Sequence, residues 1–145
     1  MTVQRMDHVG VVVDDMEAAI AFFVALGLEE DGRGSARGDE VGRIVGIEDV
    51  ETDFAMMAAP DGRRLLELIK FNAPESPAAD EEAPSNTPGL RHLAFAVDEI
   101  DVVLPRLRAQ GGELVGEVVD YGNVYRLCYV RGPAGIIVEL AEPIG

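Results

Sequence analysis

The sequence predicts an α+β fold made of two tandem β-α-β-β-β modules, and three observations lead there. A short strand pattern holding a histidine, then an acidic pair, a helical stretch and a glycine stop, occurs twice along the chain. Each half later closes on an apolar strand that carries a single acid. Between the halves runs "NAPESPAADEEAPSNTPG", rich in proline, acids and small polar residues, with the composition of a linker. The expected organisation is a first module over residues 1–73, a linker over 74–88 and a second module over 89–145.

In order, "MDHVGVVV" is short and β-branched, and the "DD" after it can cap the helix "MEAAIAFFVALG", with Gly27 as its C-cap. Two further strands are expected around "GRIVGI" and "TDFAMMAA", and the module closes on "PDGRRLLELI" with Glu67. The second copy opens on "LRHLAFAVDEIDVVLPRLRAQGG". Pro105 falls inside its helical pattern, so that helix starts near the proline or bends there. Strands follow around "GELVGEVV" and "YRLCYVR", then "GPAGIIVELA" with Glu139. The acidic run from Asp80 to Glu82 is expected to be solvated.

Composition excludes several functions. Twenty-seven acidic against 12 basic side chains give a formal charge of -15, which repels phosphate backbones and anionic membranes. No apolar run approaches the roughly 20 residues that span a bilayer. The single Cys128 has no partner for an intramolecular disulfide, and the N-terminus lacks a signal-peptide pattern, so a cytoplasmic location is expected.

Side chains alternate along a strand, which puts Met6, His8, Gly10 and Val12 on one face and Val9, Val11 and Val13 on the other. Likewise His92 shares a face with Ala94 and Ala96, opposite Leu93, Phe95 and Val97. Small residues beside each histidine leave space in front of the strand. Glu67 and Glu139 sit among aliphatic neighbours, where an isolated carboxylate is costly unless a cation offsets it. One histidine in a strand is more often a hydrogen-bonded structural residue. Here the only two histidines occupy matching places in a repeat, each with a matching acid, and two imidazoles with two carboxylates suit Zn, Ni, Co, Mn or Fe as a divalent ion. From the same repeat, Met56 and Tyr129 occupy equivalent strand positions, with Phe54 and Tyr125 at related sites. These four are candidate substrate-binding residues. Arg126, Arg91 and Cys128 fall on the helix-facing side.

The stretches "DHVGVVVDDMEAAIAFFVALGL", "LLELI", "GLRHLAFAVDEID" and "YVRGPAGIIVEL" together resemble the vicinal oxygen chelate superfamily, which includes glyoxalase I, methylmalonyl-CoA epimerase, extradiol dioxygenases, fosfomycin-resistance enzymes and bleomycin-resistance proteins. The resemblance implies a concave mixed sheet with helices outside and one divalent metal held by His8, Glu67, His92 and Glu139. Those ligands come from two modules of one chain or from modules swapped across a homodimer. It further implies a lyase, isomerase or epimerase acting by proton transfer next to a carbonyl through an enediolate, with Glu139 as first base and Glu67 as its counterpart. The substrate would be a small carbonyl compound, a thiol adduct or an acyl-CoA. An Fe(II) extradiol-type dioxygenase using His8, His92 and Glu139 is the alternative, and a small-molecule binding or resistance protein the third. The arginine that glyoxalase I carries four residues past its first ligand is Val12 here, and the asparagine that follows its first acid is matched only by Asn72, one residue late.

Overall fold

The computed structural model describes residues 1–144, and the chain divides into two compact units, Met1–Ala78 and from Ala79 onward. The first unit runs β1 (Val9–Val12), α1 (Met16–Leu26), β2 (Glu29–Arg37), α2 (Asp39–Val45), β3 (Glu51–Ala58) and β4 (Arg64–Ala73). Its sheet has the order β1-β4-β3-β2, mixed because β1 lies parallel to β4 while the other pairs are antiparallel. The second unit repeats the plan: β5 (His92–Ala96), α3 (Ile100–Ala109), β6 (Glu113–Leu114), β7 (Val119–Tyr121), β8 (Tyr125–Arg131), a 3-10 turn (Pro133–Gly135) and β9 (Ile137–Pro143). Here β5 is parallel to β9, and the order is β5-β9-β8-β6 with β7 also on β8. The architecture is α+β with mixed sheets.

Helix α1 starts where Asp15 accepts a hydrogen bond from the Ala18 amide at 3.0 Å, and stops at Gly27, whose positive φ lets its amide return to the Phe23 and Val24 carbonyls. Its buried face of Ala19, Ile20, Phe22, Phe23 and Leu26 packs on β3 and β4, above buried Ala55, Met57, Leu66 and Leu68. Each fully buried large side chain there contributes roughly 1.5–3 kcal/mol. The second core gathers Ile100, Leu104 and Leu107 of α3 with Cys128, Val130, Val138 and Leu140.

Helix α3 lacks a cap from its own sequence, since Glu99 makes no side-chain cap hydrogen bond. The Ile100 amide instead donates to Glu142 of β9 at 2.9 Å, and Arg126 bridges Glu142 and Asp101. Glu142→Ala is therefore expected to cost about 1–2 kcal/mol, the loss typical of a helix cap, read as a lower urea midpoint. Pro105 lies inside this helix, which begins well before it at Ile100.

Three sequence expectations change. "GRIVGI" is not a strand: Gly42 to Val45 belong to α2, which suits acids Asp39 and Glu40 in its first turn and Arg43 in its last, and ends at Gly46 in the left-handed region. The close approach of the Ile47 carbonyl, 2.7 Å from where a Cβ on Gly42 would stand, requires that glycine. The second strand is instead the polar stretch from Glu29, an edge strand whose charges protect an unpaired edge. "GELVGEVV" yields two short strands, β6 and β7, rather than one. Part of the expected linker is packed: Ala83 is buried, its carbonyl accepts from Arg131 at 2.9 Å, and Gly135 passes too close to the Glu81 backbone to carry a Cβ.

Candidate metal centre

The strand registers place each histidine beside one glutamate. In the first unit Gly10 of β1 pairs with Glu67 of β4, and His8 stands two residues ahead of Gly10, on the same face. In the second, Ala94 of β5 pairs with Glu139 of β9, and His92 stands two residues ahead of Ala94. The same offset in both sheets brings His8 Nε2 to 3.6 Å from Glu67 Oε1 and His92 Nε2 to 3.5 Å from Glu139 Oε1. His8 lies just before β1 rather than within it, and His92 is the first residue of β5.

These separations are longer than the ~2.7–3.2 Å of an N–H···O hydrogen bond. They are close to the spacing of two donors that share one ion, roughly 3.0–3.4 Å for bonds near 2.1 Å. All four side chains are partly exposed, from 21% for Glu139 to 39% for His92, so the glutamates open onto the uncovered sheet face instead of being interred as their aliphatic neighbours suggest. Among the described residues, no three His, Cys, Asp or Glu side chains are gathered as a group that could hold a metal ion. Each unit presents one such pair of donors.

The other imidazole nitrogen is held closely in His8 and only approached in His92. Asp7 Oδ2 lies 2.7 Å from His8 Nδ1, and the Tyr129 hydroxyl lies 3.5 Å from His92 Nδ1, with the two rings 4.9 Å apart and tilted 35°. The hydrogen bond with His8, aided by the charges of His8 and Arg5, holds the Asp7 carboxyl below its usual range against the opposing effect of desolvation. Nothing in the sequence pattern alone singles out Asp7, because strict alternation would turn it away from His8. It reaches the ring because these residues precede the regular ladder.

Across the second neighbour of each glutamate, Met56 pairs with Glu67 and Tyr129 with Glu139, so the two expected wall residues are equivalent in register. Phe54 pairs with Ile69 and with Gly34, where its ring fills the space a Cβ would take. The register equivalent of Phe54 is Leu127, opposite Ala141, and not Tyr125, which is exposed near the start of β8. Leu127 escaped the sequence reading because an aliphatic in "YRLCYVR" carries no polar signal. Asn72 donates to Asp53 at 3.0 Å and is engaged there. Cys128 is buried, and burial raises its thiol pKa, consistent with a packing residue.

The family model described as the Glyoxalase/Bleomycin resistance protein/Dioxygenase superfamily matches residues 5–140. A crystal structure of a glyoxalase family protein from Bacillus cereus is 43% identical, with a TM-score of 0.94 over 100% of this chain and 97% of that one. The mitochondrial methylmalonyl-CoA epimerase of Bos taurus is 26% identical over 141 residues, 95% of this chain and 74% of that protein. A fosfomycin resistance protein from Listeria monocytogenes, solved with Mn(II) and 1S,2S-dihydroxypropylphosphonic acid, shares the fold at 18% identity, with a TM-score of 0.61 over 98% of this chain and 94% of that one. The chain belongs to the Glyoxalase/Bleomycin resistance protein/Dioxygenase superfamily.

Proposed function

We propose that this protein is a metal-dependent lyase, isomerase or epimerase that moves a proton next to a carbonyl, with His8, Glu67, His92 and Glu139 as the metal ligands. One observation carries the reading: the histidine Nε2 to glutamate Oε1 pair recurs in both units at 3.6 and 3.5 Å in the same register. A donor set of two imidazoles and two carboxylates fits Zn, Ni, Co, Mn or Fe. When bound, such an ion would polarise a carbonyl oxygen and make the adjacent C–H more acidic.

The chain's own groups then handle the proton. Glu139 accepts it from the carbon at a carboxylate oxygen, and Glu67 or Glu139 returns it on the same or the neighbouring carbon. Gly10 and Ala94, beside the two acids, keep the sheet low where the reacting carbon must approach. Glu67 stands to His8 as Glu139 stands to His92, which favours four donors over the three that an extradiol dioxygenase would use. The likeness to an epimerase along most of the chain supports the same proton-transfer chemistry.

Asp7 supports this arrangement by holding His8 Nδ1, which leaves Nε2 directed at Glu67. Asp7→Asn is expected to weaken divalent metal binding by about tenfold or more, measured by competition with a chromophoric chelator. Function itself is tested by incubating the metal-reconstituted protein with 2-oxoaldehyde thiol adducts and acyl-CoA substrates in deuterated water. Deuterium entering next to the carbonyl is expected. Oxygen consumption with catechols and no exchange would overturn the reading.

A further inference from the structure

We infer that Arg131 is a specificity-determining residue that receives a carboxylate on the substrate, so that the second unit holds the anionic end of a carbonyl compound. This rests on the proposed site and deepens it.

Strand alternation puts Arg131 on the face of β8 that carries Tyr129, and its register partner Ile137 pairs in turn with His92. Arginine, isoleucine and histidine form one row across β8, β9 and β5, with the arginine and histidine backbones two strand spacings, roughly 10 Å, apart. Tyr129 and Glu139 make a neighbouring row on the same face.

The guanidinium is half-buried, and it is braced rather than neutralised. It donates through Nη1 to the Gly135 carbonyl at 3.1 Å and through Nη2 to the Ala83 carbonyl at 2.9 Å, and it forms no ion pair among the described residues. Elsewhere on the strands Arg33, Arg64 and Arg126 are each paired with a carboxylate. Even Glu113, the register partner of Arg131 on β6, makes no ion pair with it. The two carbonyls take only two of the five N–H groups of a guanidinium. Among the described residues the one buried side-chain nitrogen or oxygen without a partner is Nε of Arg91, so solvent reaches the unbonded Nε of Arg131. Bracing by neutral carbonyls leaves the positive charge whole and fixes the planar fork that a carboxylate can meet.

Comparison of the two copies shows that this charge is particular to the second unit. Two residues past Met56 stands the buried Ala58, whereas two residues past Tyr129 stands Arg131. Likewise Asp7 precedes His8, whereas Arg91 precedes His92. An anion and an alanine in one copy match two cations in the other, which directs the anionic end of the substrate to the second unit. A single guanidinium on the site face balances the one charge of a carboxylate, but not the about −1.5 to −2 of a phosphate monoester.

Two ligands of the same shape test this: 4-acetylbenzoate and its neutral counterpart 4-acetylbenzamide, titrated into the Co2+-loaded protein. The salt is set at about 0.15 M, where a Debye length of about 8 Å screens the overall negative charge of the chain. The carboxylate is expected to bind about tenfold or more tightly than the amide, a difference of about 1.4 kcal/mol. Arg131→Gln is expected to abolish that preference and to keep the affinity for the amide. Equal binding by the wild type, binding of neither ligand, or a preference that survives Arg131→Gln overturns the inference. Where that variant loses the amide as well, Arg131→Lys decides, because it keeps the charge: a retained carboxylate preference upholds the inference and a lost one overturns it. A protein that takes up no Co2+ defeats the metal reading alone, and the same titrations on the metal-free protein then decide by the same outcomes.

Discussion

Glu139→Gln is expected to leave a folded protein with weakened metal binding and with turnover reduced by about 100-fold or more, the span that general acid-base catalysis contributes. The substitution keeps the shape of the side chain, so β9 retains its ladder to β5 and β8 and Leu140 and Val138 stay in the core. It removes the negative charge that pairs with His92 Nε2 at 3.5 Å and the basic oxygen that would take the proton. Circular dichroism should match the wild type, while metal content and deuterium exchange should fall together. Full activity in this variant would remove Glu139 from the mechanism.

Phe22→Ala is expected to cost about 3–5 kcal/mol, a large share of the 5–15 kcal/mol that holds a typical domain together. Phe22 is fully buried under α1 and meets Phe23 edge-on with ring centroids 5.2 Å apart, so truncation leaves a cavity that the helix cannot close. The loss belongs to the first unit. Because the chain has only two histidines, one per unit, their ring resonances report each unit separately during urea unfolding. The His8 signals should collapse at lower urea than in the wild type, with those of His92 less affected. An unchanged midpoint for His8 would mean that α1 contributes little to the first unit.

Much of this fold was legible in the chain because its strongest signals are local. The Asp15 cap, the helical run to Leu26 and the Gly27 stop are written within a dozen or so residues, and the structure follows them. Strand β8 coincides with "YRLCYVR", where alternation is clean. The misreadings occur where tertiary context decides. Ile44 and Val45 suggested a strand, yet capping charges and Gly46 make a short helix whose Ile44 is exposed. The polar edge strand β2 has no hydrophobic pattern to find, since its role is to end a sheet. At the candidate site, histidine and glutamate pairing could be expected from the repeat, because register fixes which side chains share a face. The Asp7 contact could not, since it depends on a backbone that has not yet entered the ladder.

The central claim is that His8, Glu67, His92 and Glu139 are ligands of the same kind of ion. Elemental analysis and Co2+ titration of the wild-type protein, repeated on single alanine variants of the four residues, test it most directly. If the proposed four-donor set holds one ion, about one divalent ion per chain is expected, with the visible absorption of the Co2+ form reduced or lost in every variant. A wild-type protein that binds no divalent metal, or binding that survives all four substitutions, would contradict it.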